Sequence, residues 1–143
     1  MRKLIENFVP CNEYEENDKE ILLKCIDIFD DILTRENKMM HMTASSIIFN
    51  KSMDKMLMVY HNIYQNWSWT GGHTDGNSDL YDVAYKEAIE ETGISKLEPL
   101  SKEIVAIDII PVQRHFKKGK AISAHLHLNV SYAFLGDIFL PSI

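Results

Sequence analysis

One stretch constrains the fold of this chain more than any other, Gly71 to Ile94, GGHTDGNSDLYDVAYKEAIEETGI. It begins with a glycine-rich turn and continues in a pattern typical of a helix that stops at Gly93. Glu87 lies three residues before Glu90 and four before Glu91, so the three carboxylates gather at one end of one helical face. Like charges at these spacings repel each other. Their oxygens suit a hard divalent cation such as Mg²⁺. A solvated acidic helix end is the alternative, but the flanking glycines favour a metal site.

These residues resemble the Nudix box, G-x5-E-x7-R-E-U-x-E-E-x-G-U, where U is a bulky aliphatic residue. With Gly72 as the first glycine, the pattern is matched at Glu87, Glu90, Glu91, Gly93 and Ile94. Two positions depart from it, because Ser78 replaces the first Glu and Lys86 replaces the Arg. Lys86 keeps a positive charge but lacks the rigid fork with which Arg orients carboxylates.

The resemblance implies an α+β fold, the α/β/α sandwich of the Nudix family with a mixed β-sheet. It also implies metal-assisted hydrolysis of a diphosphate linkage, in a nucleoside diphosphate joined to another group. Mg²⁺ or Mn²⁺ would be bound by Glu87, Glu90 and Glu91 together with the backbone carbonyl of Gly71. Glu87, Glu90 and Lys86 are the catalytic candidates. The general base is left open between a box glutamate and an acid elsewhere, with Glu103 and Asp108 as weak candidates.

Two other functions fit the same box. A domain of this fold could bind a nucleotide-like ligand without cleaving it, and the changes at Ser78 and Lys86 keep that alternative open. Three adjacent carboxylates favour the enzyme, since a pure binding module does not need them. The isoprenyl diphosphate isomerase branch uses a catalytic cysteine outside the box. Neither Cys11 nor Cys25 is expected on a strand near the box, so this branch is set aside.

Length and composition limit the possible domain organisation, partners and location of the protein. A chain of 143 residues is expected to form one domain with a sizeable core. The net charge of −6 argues against a stable nucleic-acid partner. The sequence shows no apolar run of membrane-spanning length and no signal peptide, which favours a cytoplasmic protein without a membrane partner. Whether the chain forms a homodimer is left open.

Periodicity outside the box predicts an N-terminal helix over about 17–36, with Asn17 and Glu20 as a capping box and Cys25 in its apolar stripe. Strands are predicted at 43–50 and 55–61, joined as a hairpin, and at 103–110, stopped by Pro111. The strand at 124–134 alternates most cleanly. Only seven residues follow Gly136, so either the N-terminal helix covers the second sheet face or the chain is cut short at its C-terminus.

The segments around the box supply candidates for substrate binding. Trp rings two residues apart could stack a nucleobase, although core or rim packing is the simpler reading. A basic segment, QRHFKKGK at 113–120, is expected to form a hairpin tip that could steer a polyanion or simply face solvent. Two histidines on one strand face could ligate a metal, contact phosphate or face solvent. The predicted substrate-binding residues are Trp67, Trp69, His73, Arg114, His125 and His127.

Overall fold

The computed structural model describes residues 1–138 of the chain. The helices are α1 (Arg2–Asn7), α2 (Glu13–Ile28) and α3 (Leu80–Thr92). The strands are β1 (Met40–Phe49), β2 (Val59–His61), β3 (Asn66–Ser68), β4 (Thr70–His73), β5 (Leu97–Pro99), β6 (Ala106–Val112), β7 (His115–Lys117), β8 (Lys120–Ile122) and β9 (His125–Gly136). No helix within residues 1–138 is long and apolar enough to cross a membrane.

The central sheet has five strands in the order β4-β1-β9-β5, and β6 also pairs with β9. β1 and β9 run parallel over ten residue pairs, from Met40 opposite Leu126 to Phe49 opposite Leu135. The other pairings in this sheet are antiparallel. The mixed sheet and its helices confirm the predicted α+β class. Two separate hairpins, β2–β3 and β7–β8, complete the described strands.

The two faces of the sheet differ sharply in chemistry, because side chains alternate along each strand. The helix face is apolar and carries Met42, Ala44, Leu128, Val130, Tyr132 and Phe134, all within the hydrophobic core. The polar face carries His41, Thr43, Ser45, His127, Asn129 and Ser131, which the β1–β9 register places side by side. Hydrogen bonds from the Thr43 and Ser45 hydroxyls to Asn129 Oδ1, at 2.9 and 2.8 Å, satisfy this buried polar layer.

All three helices pack on the helix face. α3 lies over β1 and β9, where the Ser46 hydroxyl donates to the Ala84 carbonyl at 2.8 Å and the Tyr81 ring meets Tyr132 edge to face. α2 crosses the same face further along, with Cys25 Sγ 3.3 Å from Met40 Sδ. The N-terminal helix therefore does not cover the second face, which was one of the two possibilities drawn from the sequence.

The predicted N-terminal helix is present with different ends. It spans Glu13–Ile28 rather than 17–36, and its N-cap is Asn12, whose side chain accepts from the Glu15 amide. The Asn17–Glu20 capping box is therefore wrong, because Asn12 already satisfies the first turn and three glutamates there complement the helix dipole. Cys25 is buried in the core as expected. The short helix α1 was not predicted.

The strand predictions were partly right. In place of the predicted hairpin between 43–50 and 55–61, the structure has an isolated bridge between Phe49 and Met56. The two edges of β1 are paired with β4 and β9 instead. Pro111 does not stop β6, which continues to Val112. The basic hairpin forms as β7–β8, with Lys118 and Gly119 both at positive φ in its turn.

The box helix begins and ends at capping residues. Asp79 is the N-cap, and its Oδ1 accepts from the Asp82 amide at 3.1 Å. Gly93 ends the helix in the left-handed region at φ 72°, which glycine adopts without strain. Both ends of the predicted box helix therefore follow from local sequence.

Replacing Asp79 should destabilise the fold through this cap. We expect Asp79→Ala to lower the free energy of unfolding by about 1 kcal/mol, measured by urea denaturation. Asp79→Asn is the matched control, because an amide oxygen can accept the same hydrogen bond. Metal affinity should survive in both variants, and its collapse in Asp79→Ala alone would show that Asp79 is a ligand instead.

Candidate functional site

The glycine pair at the start of the box lies directly beneath the box glutamates. A Cβ at Gly72 would come within 2.3 Å of Glu87 Cδ and 2.6 Å of its Oε2. A Cβ at Gly71 would come within 2.5 Å of Ser45 Oγ on the opposite face of the sheet. Glycine is thus required at both positions by space, since β4 passes between the Glu87 carboxylate and the polar layer.

Glu91 is anchored to the same strand. Its Oε1 accepts a hydrogen bond from the Gly71 amide at 3.2 Å, which joins the end of α3 to β4. Partial desolvation raises the pKa of Glu91, the Gly71 hydrogen bond lowers it, and Glu90 raises it again. Glu90 and Glu91 are both exposed, and Glu87 is partly buried. Glu87 and Glu91 both contact β4, through Gly72 and the Gly71 amide.

Several neighbouring negative charges act on Glu87. Burial raises the pKa of this half-buried carboxyl, and the charges of Glu90, Glu91 and Asp75 raise it further. Arg35 acts in the opposite direction. Glu87 and Glu91 lie against the glycine pair with Glu90 beside them, and their charge is only partly offset. These carboxylates are a donor set of hard oxygens that suits Mg²⁺ or Mn²⁺.

Arg35 and Asp75 were missed by the sequence analysis. Arg35 Nε and Nη2 donate to the two carboxylate oxygens of Asp75, both at 2.9 Å. The loop after α2 carries Arg35 to this position, because the Leu33 carbonyl accepts from the Thr74 hydroxyl and the Gly76 amide. The two partners are 40 residues apart in sequence, so no local pattern could have predicted the pair.

The two departures from the box are both exposed, and the charge of Lys86 reaches Glu90 as well as its partner Asp82. Lys86 Nζ pairs with Asp82 at 2.8 Å, one turn earlier on α3, and its side chain is largely exposed. Ser78 is exposed just before the cap. The cation whose charge reaches Glu87 is therefore Arg35, while Lys86 is held by another partner.

The predicted substrate-binding residues separate into two groups. Trp67 and Trp69 are exposed, Trp67 by 60%, beside the start of β4. Arg114 is exposed in the link between β6 and β7. His73, His125 and His127 lie together on the polar face with His41, which the sequence analysis did not select. The exposed indole rings are available to a planar ligand, and the histidines form a separate cluster.

The candidate bases outside the box differ in their surroundings. Burial raises the pKa of Asp108, and the nearby charges of Glu15 and Asp18 on α2 raise it further. Asp108 lies opposite Asn129 in the β6–β9 register, and Asp18 of α2 accepts from the neighbouring Ile109 amide. Glu103 is exposed in the loop before β6. Neither residue contributes to the charges that act on Glu87.

Comparison with known proteins finds similarity to solved structures. No protein-family model matches the chain, and no curated protein sequence matches it. The crystal structure of the C. elegans Ap4A hydrolase is similar to it at 21% sequence identity and a TM-score of 0.40, over 64% of this chain and 67% of that one. A match at this level does not establish a shared family, substrate or mechanism.

Filling the space above Gly72 should displace Glu87. We expect Gly72→Ala to remain folded, because the flexible carboxylate can swing away, but to lower Mn²⁺ affinity about tenfold or more. Isothermal titration calorimetry measures this affinity. Gly136→Ala is the matched control, since its Cβ would crowd Leu97 on the same sheet and not a carboxylate. Equal Mn²⁺ affinity in Gly72→Ala and the parent would place the metal elsewhere.

The raised pKa of Glu87 predicts how stability depends on pH. In metal-free buffer the Glu87 carboxyl group keeps its proton to a higher pH in the folded chain than in the unfolded chain. Stability should therefore fall as pH rises from the unfolded value, about 4.3, through the higher folded pKa. Glu87→Gln removes this loss, so it should be more stable than the parent above that window and equal to it below. Urea denaturation across pH measures the difference. Saturating Mg²⁺ should reduce the stability difference between Glu87→Gln and the parent. A stability difference that does not change with pH would contradict a raised pKa at Glu87.

Proposed function

We propose that this chain is a metal-dependent hydrolase of the Nudix type that cleaves a diphosphate linkage in a nucleoside diphosphate joined to another group. The observation that carries the proposal is the seating of Glu87 and Glu91 on the consecutive glycines Gly72 and Gly71. This seating turns the spacing of the box into one compact group of oxygen donors. A divalent cation bound there would neutralise phosphate charge and lower the pKa of an attacking water.

The residues of the chain have distinct roles in this proposal. Glu87 and Glu91 would hold Mg²⁺ or Mn²⁺ together with the Gly71 carbonyl, and Glu90, at the solvent edge, would act directly or through water. The general base would be a box glutamate or an acid elsewhere, since burial raises the pKa of both Glu87 and Glu91 and so does not single out one of them. Lys86 would act through its positive charge, which pairs with Asp82 and reaches Glu90.

Substrate binding is proposed for the exposed surface on the β2–β3 side. Trp67 and Trp69 offer exposed indole rings near the glycine pair, and aromatic faces stack readily on nucleobases. The β7–β8 hairpin and Arg114 add positive charge, which would draw a polyanionic substrate toward an otherwise acidic protein. A small-molecule substrate, and no stable nucleic-acid partner, fits this distribution of charge.

The test is a hydrolysis screen with saturating Mg²⁺ or Mn²⁺. Its substrates are nucleoside diphosphate sugars, ADP-ribose, dinucleoside polyphosphates and nucleoside triphosphates. We expect metal-dependent cleavage of at least one class, and we expect Glu91→Gln to lower kcat/KM about a hundredfold or more, since it removes an anionic ligand while its amide oxygen can still accept from Gly71. Glu98→Gln on β5 is the charge-matched control, because this exposed carboxylate lies outside the site.

Two results would count against the enzyme. Cleavage that Glu91→Gln does not slow would move the chemistry to another site. Tight binding of a nucleotide by the parent protein with no cleavage of any substrate class would instead favour the non-catalytic module.

A further inference from the structure

Four of the six histidines of the chain meet on the polar face. His41 lies directly opposite His127 in the β1–β9 register, and His73 lies opposite Thr43, two residues further along β1. The His41 ring centroid is 5.2 Å from that of His73, 5.1 Å from His127 and 4.8 Å from His125. Strands β1, β4 and β9, which are distant in sequence, thus bring these imidazole rings close together.

The spacing of the ring nitrogens suits a metal ion. His41, His73 and His127 each place a ligand nitrogen so that all three lie within 4.8 Å of one another. Neighbouring nitrogens around a tetrahedral Zn²⁺ with ordinary Zn–N bonds are about 3.3 Å apart. Small side-chain rotations would therefore close the site without moving a strand. His125 Nε2 already lies 3.1 Å from His127 Nε2 at the edge of this group.

His41 is the decisive residue, because its outward nitrogen has no partner. The side chain is 5% exposed, and Nδ1 donates to the Asn37 carbonyl at 3.0 Å. This leaves the lone pair on Nε2 directed away from Asn37, and within residues 1–138 that buried atom has no hydrogen-bond partner. A buried polar atom without a partner is costly. Metal-binding histidines are commonly oriented in this way, with the second nitrogen donating to a backbone carbonyl.

The surroundings keep the rings neutral, which is the form that binds metal. Burial and the neighbouring histidines and basic residues lower the pKa of His73 to about 4 and that of His127 to about 3. Burial also lowers the pKa of His41, against the hydrogen bond to Asn37. Near neutral pH the His73 and His127 rings are therefore neutral.

We propose that His41, His73 and His127 bind a divalent transition-metal ion of the Zn²⁺ class, with the fourth position open beside His125. Imidazole nitrogens favour Zn²⁺, Co²⁺, Ni²⁺ and Cu²⁺ over Mg²⁺ and Ca²⁺. Three neutral ligands leave the full charge of the ion uncompensated, so the fourth ligand would be hydroxide or another anion. The ion would also cross-link β1, β4 and β9.

This site is separate from the carboxylate site, although β4 contributes to both. Gly72 faces Glu87 on the helix face, and His73 is the next residue and therefore faces the opposite way. The carboxylates would select hard cations and the histidines softer ones. The proposed histidine site does not depend on the proposed hydrolase activity.

Metal binding to the tag-free protein tests the proposal directly. Co²⁺ is added to metal-free protein, because four-coordinate Co²⁺ absorbs visible light much more strongly than the six-coordinate aqueous ion. We expect strong absorption that saturates at one Co²⁺ per chain and is displaced by one equivalent of Zn²⁺ but not by millimolar Mg²⁺. Zn²⁺ should also raise the thermal unfolding midpoint, since it binds the folded state.

Variants then assign the ligands. His73→Gln and His127→Gln should each weaken Zn²⁺ binding about tenfold or more in calorimetric titration. His61→Gln, in a histidine outside the cluster, and Glu91→Gln, in the carboxylate site, should leave it unchanged. Circular dichroism of the metal-free variants checks that each is folded.

Three outcomes would overturn the proposal. The first is an octahedral Co²⁺ spectrum with no saturation, which would leave the cluster as neutral polar packing. The second is Zn²⁺ affinity that survives in both His73→Gln and His127→Gln. A loss of Zn²⁺ binding in Glu91→Gln would equally contradict it, because the ion would then belong to the carboxylates.

Discussion

The parallel pairing of β1 with β9 is the constraint on which the rest of the structure depends. These strands lie 76 or more residues apart along the chain, and their ten-residue register forms the centre of the sheet. A shift of one residue would exchange the two faces of either strand. The register therefore decides which side chains enter the core and which form the polar layer around Asn129. Both candidate sites are built on the result.

β4 shows how a short strand can serve two different chemistries. It pairs with β1 over four residues and alternates its side chains between the faces. Gly72 leaves space for Glu87 on one face, and His73 joins three other imidazoles on the other. The absence of a side chain at Gly72 lets α3 approach the strand closely enough for Glu91 to accept from the Gly71 amide. Glycine is thus a requirement of packing here, as well as part of a recognisable pattern.

Local sequence predicted well the features that depend on neighbouring residues. The stop at Gly93 and the basic hairpin depend on contacts within a few residues, and both are present. The error in the N-terminal helix has a physical cause. An apolar stripe continues from Phe29 to Leu33, but those residues leave the helix, and the Ile32 carbonyl accepts from the Met42 amide of β1 instead. A tertiary hydrogen bond and burial of Ile32 outweighed the helical pattern.

The sequence by itself determined the α+β class, the box helix with its three carboxylates and the glycines that precede it. Those features follow from spacing along one segment, where the geometry of a helix fixes which residues are neighbours. Only the tertiary structure decided that Arg35 would pair with Asp75 near Glu87, that Lys86 would turn to Asp82, and that His41 would meet His73 and His127. These groups come from segments separated by tens of residues, and their meeting depends on strand register and loop packing, which no local pattern specifies.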